Sequence, residues 1–254
     1  MIEIIYIGIL GLCVGSFLNV VIVRVPKEMS LWMPGSHCHH CKHPLRWRDN
    51  IPLLSYFVLK GQCHDCQRPI SLRYPIVEII TCLLSMSVSL RLGFSLETLF
   101  GLLFTWALIT LTFIDLEHLL LPNSITLPML FLGLFLNLFH IFTSSNSAIW
   151  GAILGYFILW LVYWMYKIVT RKEGMGCGDF KLLAMLGAWF GWQMLPFLLL
   201  FSSITATLFG ATLMFLKKFD KNTPIPFGPF LALGGWFTLL FGEIIQYWYF
   251  GNGT

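Results

Sequence analysis

Apolar positions along this chain fall into long charge-poor runs separated by short polar breaks. The first run covers residues 1–23. After a polar stretch come further runs at roughly 75–90, 96–114, 125–142, 148–169, 182–192, 194–216 and 230–248. A bilayer crossing needs about 20 mostly apolar residues, so the pattern predicts an all-α polytopic membrane protein with about eight transmembrane helices. Between Lys181 and Lys217 lie 35 residues without a formal charge, about 52 Å as one helix at 1.5 Å per residue. That is too long for one crossing and short for two, which predicts a break between Gln193 and Pro196. Pro196 suits the start of the helix that follows.

Composition removes the soluble alternative. Hydrophobic residues make up 57% of the chain and charged residues 11%, where a soluble domain carries about 25% charge; the mean hydropathy is +0.78. The first run is expected to be a retained span with its N-terminus outside, because no basic region precedes it and no clear small-residue cleavage site follows. Of the 16 basic residues, all but Arg91 fall on one side of the predicted spans. Lys/Arg excess marks the cytoplasmic side. The net charge of +4 therefore reflects topology and does not point to nucleic acid. Trp32, Trp150, Trp189, Trp192, Trp236 and Trp248 lie near predicted span ends, where an aromatic belt is expected.

The organisation expected is a first transmembrane helix at residues 1–23, a cytoplasmic Cys-rich insert at 24–74, and a transmembrane domain at 75–254. The insert holds Cys38-His39-His40-Cys41 and, 21 residues further on, Cys63-His64-Asp65-Cys66. Two CxxC pairs so spaced resemble a zinc ribbon, whose usual gap is about 15–20 residues. Each turn presents two thiolates, and together they offer a tetrahedral site that suits structural Zn²⁺ and can fold a small module. Disulfides are disfavoured on a reducing side of the membrane, although thiol redox chemistry and free thiols stay open as readings. His37, His39, His40, His43 and His64 flank the turns as substitute ligands or as solvated loop residues.

Among the acidic residues, Glu78, Asp115, Glu117 and Asp179 fall at cytoplasmic helix ends. Asp115 directly follows an apolar run, and Asp179 closes Gly174-Met175-Gly176-Cys177-Gly178-Asp179. An ionisable group at this depth costs a few kcal/mol and is a functional hypothesis by default. Two carboxylates brought together share a proton, so one acts as base on a water while the other donates to a peptide carbonyl. Two separate helix-end aspartates would look the same in sequence, and a single GxGD is a weak signal. Capping or solvation is the plainer reading of Glu78 and Glu117.

Motifs in order carry more. Gly15-Ser16-Phe17-Leu18-Asn19-Val20, the paired CxxC insert with Trp47-Arg48-Asp49-Asn50-Ile51-Pro52 inside it, the Asp115 segment, the Gly176-to-Lys181 segment and Pro226-Phe227-Gly228-Pro229 together resemble the bacterial type IV prepilin peptidases. The resemblance covers nearly the whole chain. It implies an aspartic peptidase of the GxGD class in the inner membrane, with Asp115 and Asp179 as its catalytic pair. Substrates would be prepilins and pseudopilins of type IV pilus or type II secretion systems, cut at the cytoplasmic face. The cysteine insert goes with the family's methylating form, which uses S-adenosylmethionine on the new N-terminus. Asn123 departs from the pattern, standing where many relatives have an aspartate. The competing class, a zinc-ribbon scaffold or a proton- or cation-coupled transporter, calls for midplane charges and inverted repeats; neither stands out in the sequence.

Overall fold

The computed structural model describes residues 2–33, 35–38, 40–171, 176–216 and 225–251, without the side chains of Ile2 and Phe250. His39, Lys172, Glu173, Gly174, Met175, Lys217, Lys218, Asp220 and Lys221 lie outside the described residues. The described chain is helical, with two isolated β-bridges and no strand. Its two compact units are Met1–Thr110 and Leu111–Thr254.

In the first unit, α1 (Ile2–Arg24) packs along α3 (Arg73–Leu92). Glycines make the contact possible: a Cβ on Gly11 would lie 2.9 Å from the Cys82 Cα, and one on Gly15 2.8 Å from the Glu78 Cα. Lipid offers no hydrophobic force between helices, so close backbone contact through small residues holds them. The short α2 (Leu54–Val58) lies in the insert, and α4 (Leu96–His118) runs from this unit into the next. Several polar groups in the helices are satisfied internally, as a bilayer favours. Thr81 and Thr105 donate to the carbonyls of Val77 and Gly101 at 2.7 Å, and Trp106 Nε1 donates to Ser85 Oγ at 2.9 Å. Cys13, which an apolar span suggests is buried, is exposed.

The second unit holds α5 (Asn123–Asn137), α6 (Ser145–Thr170), α7 (Cys177–Phe190), α8 (Leu195–Phe215) and α9 (Gly228–Phe250). Helix α7 is its core: Asp179, Phe180 and every residue from Leu182 to Phe190 are buried. Against it lies α6, with Gly151 and Gly187 meeting backbone to backbone; a Cβ on either would run into the carbonyl of the other. The outer face of α6 carries Ile153, Phe157, Met165 and Ile168, all exposed, an apolar surface suited to lipid.

Among the described residues six helices are long and apolar enough to cross a membrane, namely α1, α3, α4, α6, α8 and α9. This is a multi-pass membrane protein. Of the eight expected spans, the other two correspond to α5 and α7, of 15 and 14 residues; at 1.5 Å per residue these are only about 22 and 21 Å long. The break in the long uncharged stretch falls beside its expected place: Gly191 (φ +83°) stops α7, a 3-10 turn spans Trp192–Met194, and Pro196 lies in the first turn of α8. Trp189 departs from the belt expected of it. It is fully buried, packs on Gly133 and donates to the Met129 carbonyl at 2.8 Å.

Asn137 joins three segments with four hydrogen bonds. Its Nδ2 donates to the carbonyls of Ala188 (2.8 Å) and Trp189 (3.0 Å) at the end of α7, and its Oδ1 accepts from the N–H groups of Phe142 and Thr143, both at 3.0 Å. Asn137→Ala leaves buried backbone groups unpaired, each costing about 1–3 kcal/mol. The variant should unfold at a clearly lower temperature in detergent, which a thermal melt of the purified protein checks.

Candidate functional site

The last turn of α4 directs Ile114 and Asp115 inward, with Asp115 5% exposed, while Leu116, Glu117 and His118 face outward. Leu119 then takes a left-handed conformation (φ +52°) and its N–H bonds the Asp115 carbonyl at 2.9 Å, ending the helix. The chain turns back, tucks Leu121 inside and enters α5 behind Pro122. Asp179 occupies the first turn of α7, 7% exposed, where the positive end of the helix dipole favours a carboxylate.

Three separate sequence segments meet at Asp115. The backbone N–H of Gly228, at the start of α9, donates to Asp115 Oδ2 at 3.0 Å. A Cβ on Gly228 would lie 2.6 Å from that oxygen, so only glycine brings the backbone this close. Leu121 fills the space beside both glycine motifs: a Cβ on Gly178 would lie 2.7 Å from the Leu121 Cβ, and one on Gly228 3.4 Å from its Cδ1. Leu121 thus lies against both the Gly178–Asp179 turn and the Gly228–Asp115 contact, which draws the segments of the two predicted carboxylates to one place. Such a pair can hold one proton between them and activate a water against a carbonyl.

Leu121 was not singled out by sequence, since a leucine in an apolar run carries no mark of its role. Asn123 accepts a hydrogen bond from Lys181 Nζ at 2.7 Å. Cys177 is exposed. Glu78, taken from sequence as an ordinary helix-end group, belongs to the first unit and is buried, accepting the Leu53 N–H on Oε2 at 2.9 Å.

The four insert cysteines come together. Their Sγ atoms all lie within 4.8 Å of one another, and Cys38 and Cys66 are 3.8 Å apart. Tetrahedral Zn–S bonds of about 2.3 Å put sulfurs about 3.8 Å apart, whereas a disulfide needs about 2.05 Å. The two turns repeat the same design. Cys38 exchanges backbone bonds with Lys42 and His43 as Cys63 does with Gln67 and Arg68; Lys42 and Gln67 both have positive φ; and each turn is flanked by a bridge, His37 to Pro44 and Gln62 to Pro69. The Cys41 backbone N–H, with that of His40, brings the Cys38 thiol down to about 6. Donor type and spacing thus fit a zinc ion, and Cys38, Cys41, Cys63 and Cys66 would hold it. Among the described residues no histidine joins the cluster; His43 and His64 instead face Asp65 at 3.7 and 3.6 Å.

Residues 9–92 match the bacterial peptidase A24 N-terminal domain, and residues 102–211 match the type IV leader peptidase family. Three curated relatives carry the name prepilin leader peptidase/N-methyltransferase. That of Stutzerimonas stutzeri is 48% identical over 93% of this chain and 90% of its own. Those of Aeromonas hydrophila and Pseudomonas aeruginosa are 47% and 46% identical, covering 95% and 93% of this chain and 92% and 90% of theirs. The chain belongs to this family of prepilin leader peptidase/N-methyltransferases. No solved structure matches it.

Gly178→Ala drives a methyl group into Leu121, and overpacking of this kind costs about 1–3 kcal/mol. A lowered unfolding temperature is expected, and the double variant Gly178→Ala with Leu121→Ala should recover part of it.

Proposed function

We propose that this protein removes the leader peptides of type IV prepilins and related pseudopilins at the cytoplasmic face of the bacterial inner membrane. It then N-methylates the new N-terminal residue, with S-adenosylmethionine as methyl donor. The observation that carries the cleavage reading is the buried pair of aspartates, Asp115 at the end of α4 and Asp179 at the start of α7, 5% and 7% exposed. Family membership and the near-full coverage of relatives bearing both activities in their name support the pairing of the two reactions. The one-sided distribution of basic residues supports the cytoplasmic orientation.

In this reading residues 1–23 anchor the chain, the insert 24–74 is organised by a structural zinc ion, and residues 75–254 carry the peptidase. The ionised aspartate takes a proton from water as its oxygen attacks the scissile carbonyl. The protonated aspartate hydrogen-bonds the carbonyl oxygen as negative charge develops there. Proton return to the amide nitrogen lets the carbon–nitrogen bond break, releasing the leader acid and the mature amine. The Gly228 N–H, already committed to Asp115 Oδ2, fixes that carboxyl group for its task. Which aspartate begins as base is a property of the coupled pair.

Asp115→Asn and Asp179→Asn preserve size and remove the shared proton. In membranes at matched expression each should lower prepilin cleavage by about 100-fold or more; near wild-type cutting by either variant would sink the catalytic assignment. Elemental analysis of the purified protein should find zinc equimolar with the chain. Cys63→Ser, which removes the most buried of the four ligands, should bring it to trace levels.

A further inference from the structure

A cavity of about 460 Å³ lies in the first unit between α1, the start of α3 and the insert, within the range of small-molecule sites of about 300–1,000 Å³. Its walls are largely apolar, with Val20, Leu59 and Ile70 among them, but three buried polar groups line it: Asn19, Glu78 and Arg24, whose guanidinium donates to the carbonyls of Ser30 and Leu31 at 2.9 and 3.1 Å. Asn19 is 1% exposed. Its Nδ2 donates to the carbonyls of Gly15 and Tyr74, both at 3.2 Å, which leaves Oδ1 buried without a partner among the described residues. Glu78 is 7% exposed, and its hydrogen bonds come from neutral donors, the Leu53 N–H and Ser16. Native proteins seldom leave a buried carboxylate without a cation or a buried amide oxygen without a donor. A ligand bringing positive charge and N–H groups meets both needs.

The backbone that Glu78 holds beside the cavity is also under tension. Leu53 has φ +59° and ψ −49°, and the Leu54 N–H bonds back to the Pro52 carbonyl at 2.6 Å. This tight γ-turn is rare and strained for a bulky side chain. Strain of this kind collects at functional sites, where the surroundings impose it, and here the Glu78 carboxylate holds the Leu53 N–H.

We propose that this cavity is the methyl-transfer site, where Glu78 and Asn19 Oδ1 bind the α-ammonium of the newly exposed N-terminus and Glu78 takes its proton. This rests on the methylating half of the function above. The freed amine nitrogen forms a bond to the methyl carbon of the sulfonium donor as the carbon–sulfur bond breaks. The electron pair stays on sulfur, which becomes a neutral thioether, and the methylated amine carries the positive charge.

The test uses the full-length protein in proteoliposomes with three readouts. These are prepilin cleavage, methylation of a peptide that already begins at the mature N-terminus, and binding of that peptide against its N-acetylated form. Glu78→Gln retains an acceptor for the Leu53 N–H, so cleavage should stay at the wild-type rate while methylation falls about 100-fold or more. The preference for the free amine should disappear with it, and Glu78→Asp should restore part of both. Methylation unchanged in Glu78→Gln, loss of cleavage and methylation together, or a persisting preference for the free amine would each overturn the site. If the wild-type protein neither cuts nor methylates, it is the broader function that fails. The peptide-binding comparison then still decides for or against an amine site at Glu78.

Discussion

Backbone contact between α6 and α7 is the constraint on which the second unit turns. Gly151 and Gly187 bring the two helices together with no side chain between them, and Gly155 continues the contact against the Leu183 carbonyl. Within a bilayer, dispersion contact takes over the role that water plays in driving soluble helices together. The result is a helix enclosed by its neighbours, whose first turn presents Asp179 from a fixed platform. The same economy recurs at Gly228, where the missing Cβ lets a backbone N–H reach Asp115.

The insert solves a different problem. It is too polar and too short to build a core, and among its described residues only Arg24, Gly61 and Cys63 are buried. Its order comes from two copies of one turn, each with a left-handed residue after the second cysteine and a bridge closing its base. Cys38 and Cys63 also face the cavity that Glu78 and Asn19 line. Whatever fixes the four sulfurs therefore fixes part of that cavity's wall, which connects a structural centre to the chemistry beside it.

Much of this was legible in the sequence because the bilayer allows few solutions. The charge-free run after Lys181 had to break, and the chain breaks at Gly191, with Pro196 opening the next helix. The paired CxxC spacing foretold the four-sulfur cluster, and depth singled out Asp115 and Asp179 as candidates, while their pairing came only from the family resemblance. What escaped was the identity of contacts between segments far apart in the chain. Leu121 is one more leucine until Gly178 and Gly228 close on it. Trp189 sits at a helix end in sequence yet turns inward, because Gly133 leaves room for its ring and Met129 offers a carbonyl. Glu78 looked like a solvated helix end because nothing nearby in sequence reveals that Leu53 folds over it.

The shortness of α7 bears on how water reaches a reaction that consumes it. At about 21 Å the helix falls roughly 9 Å short of a hydrocarbon core of about 30 Å. Since α7 is wrapped by protein, the shortfall need not be met by deforming lipid around it. On the proposed reading it instead leaves the Asp179 end of the helix closer to the aqueous phase, which shortens the path that water must take. A bond within a lipid-embedded substrate could then be hydrolysed without any water molecule crossing the apolar interior.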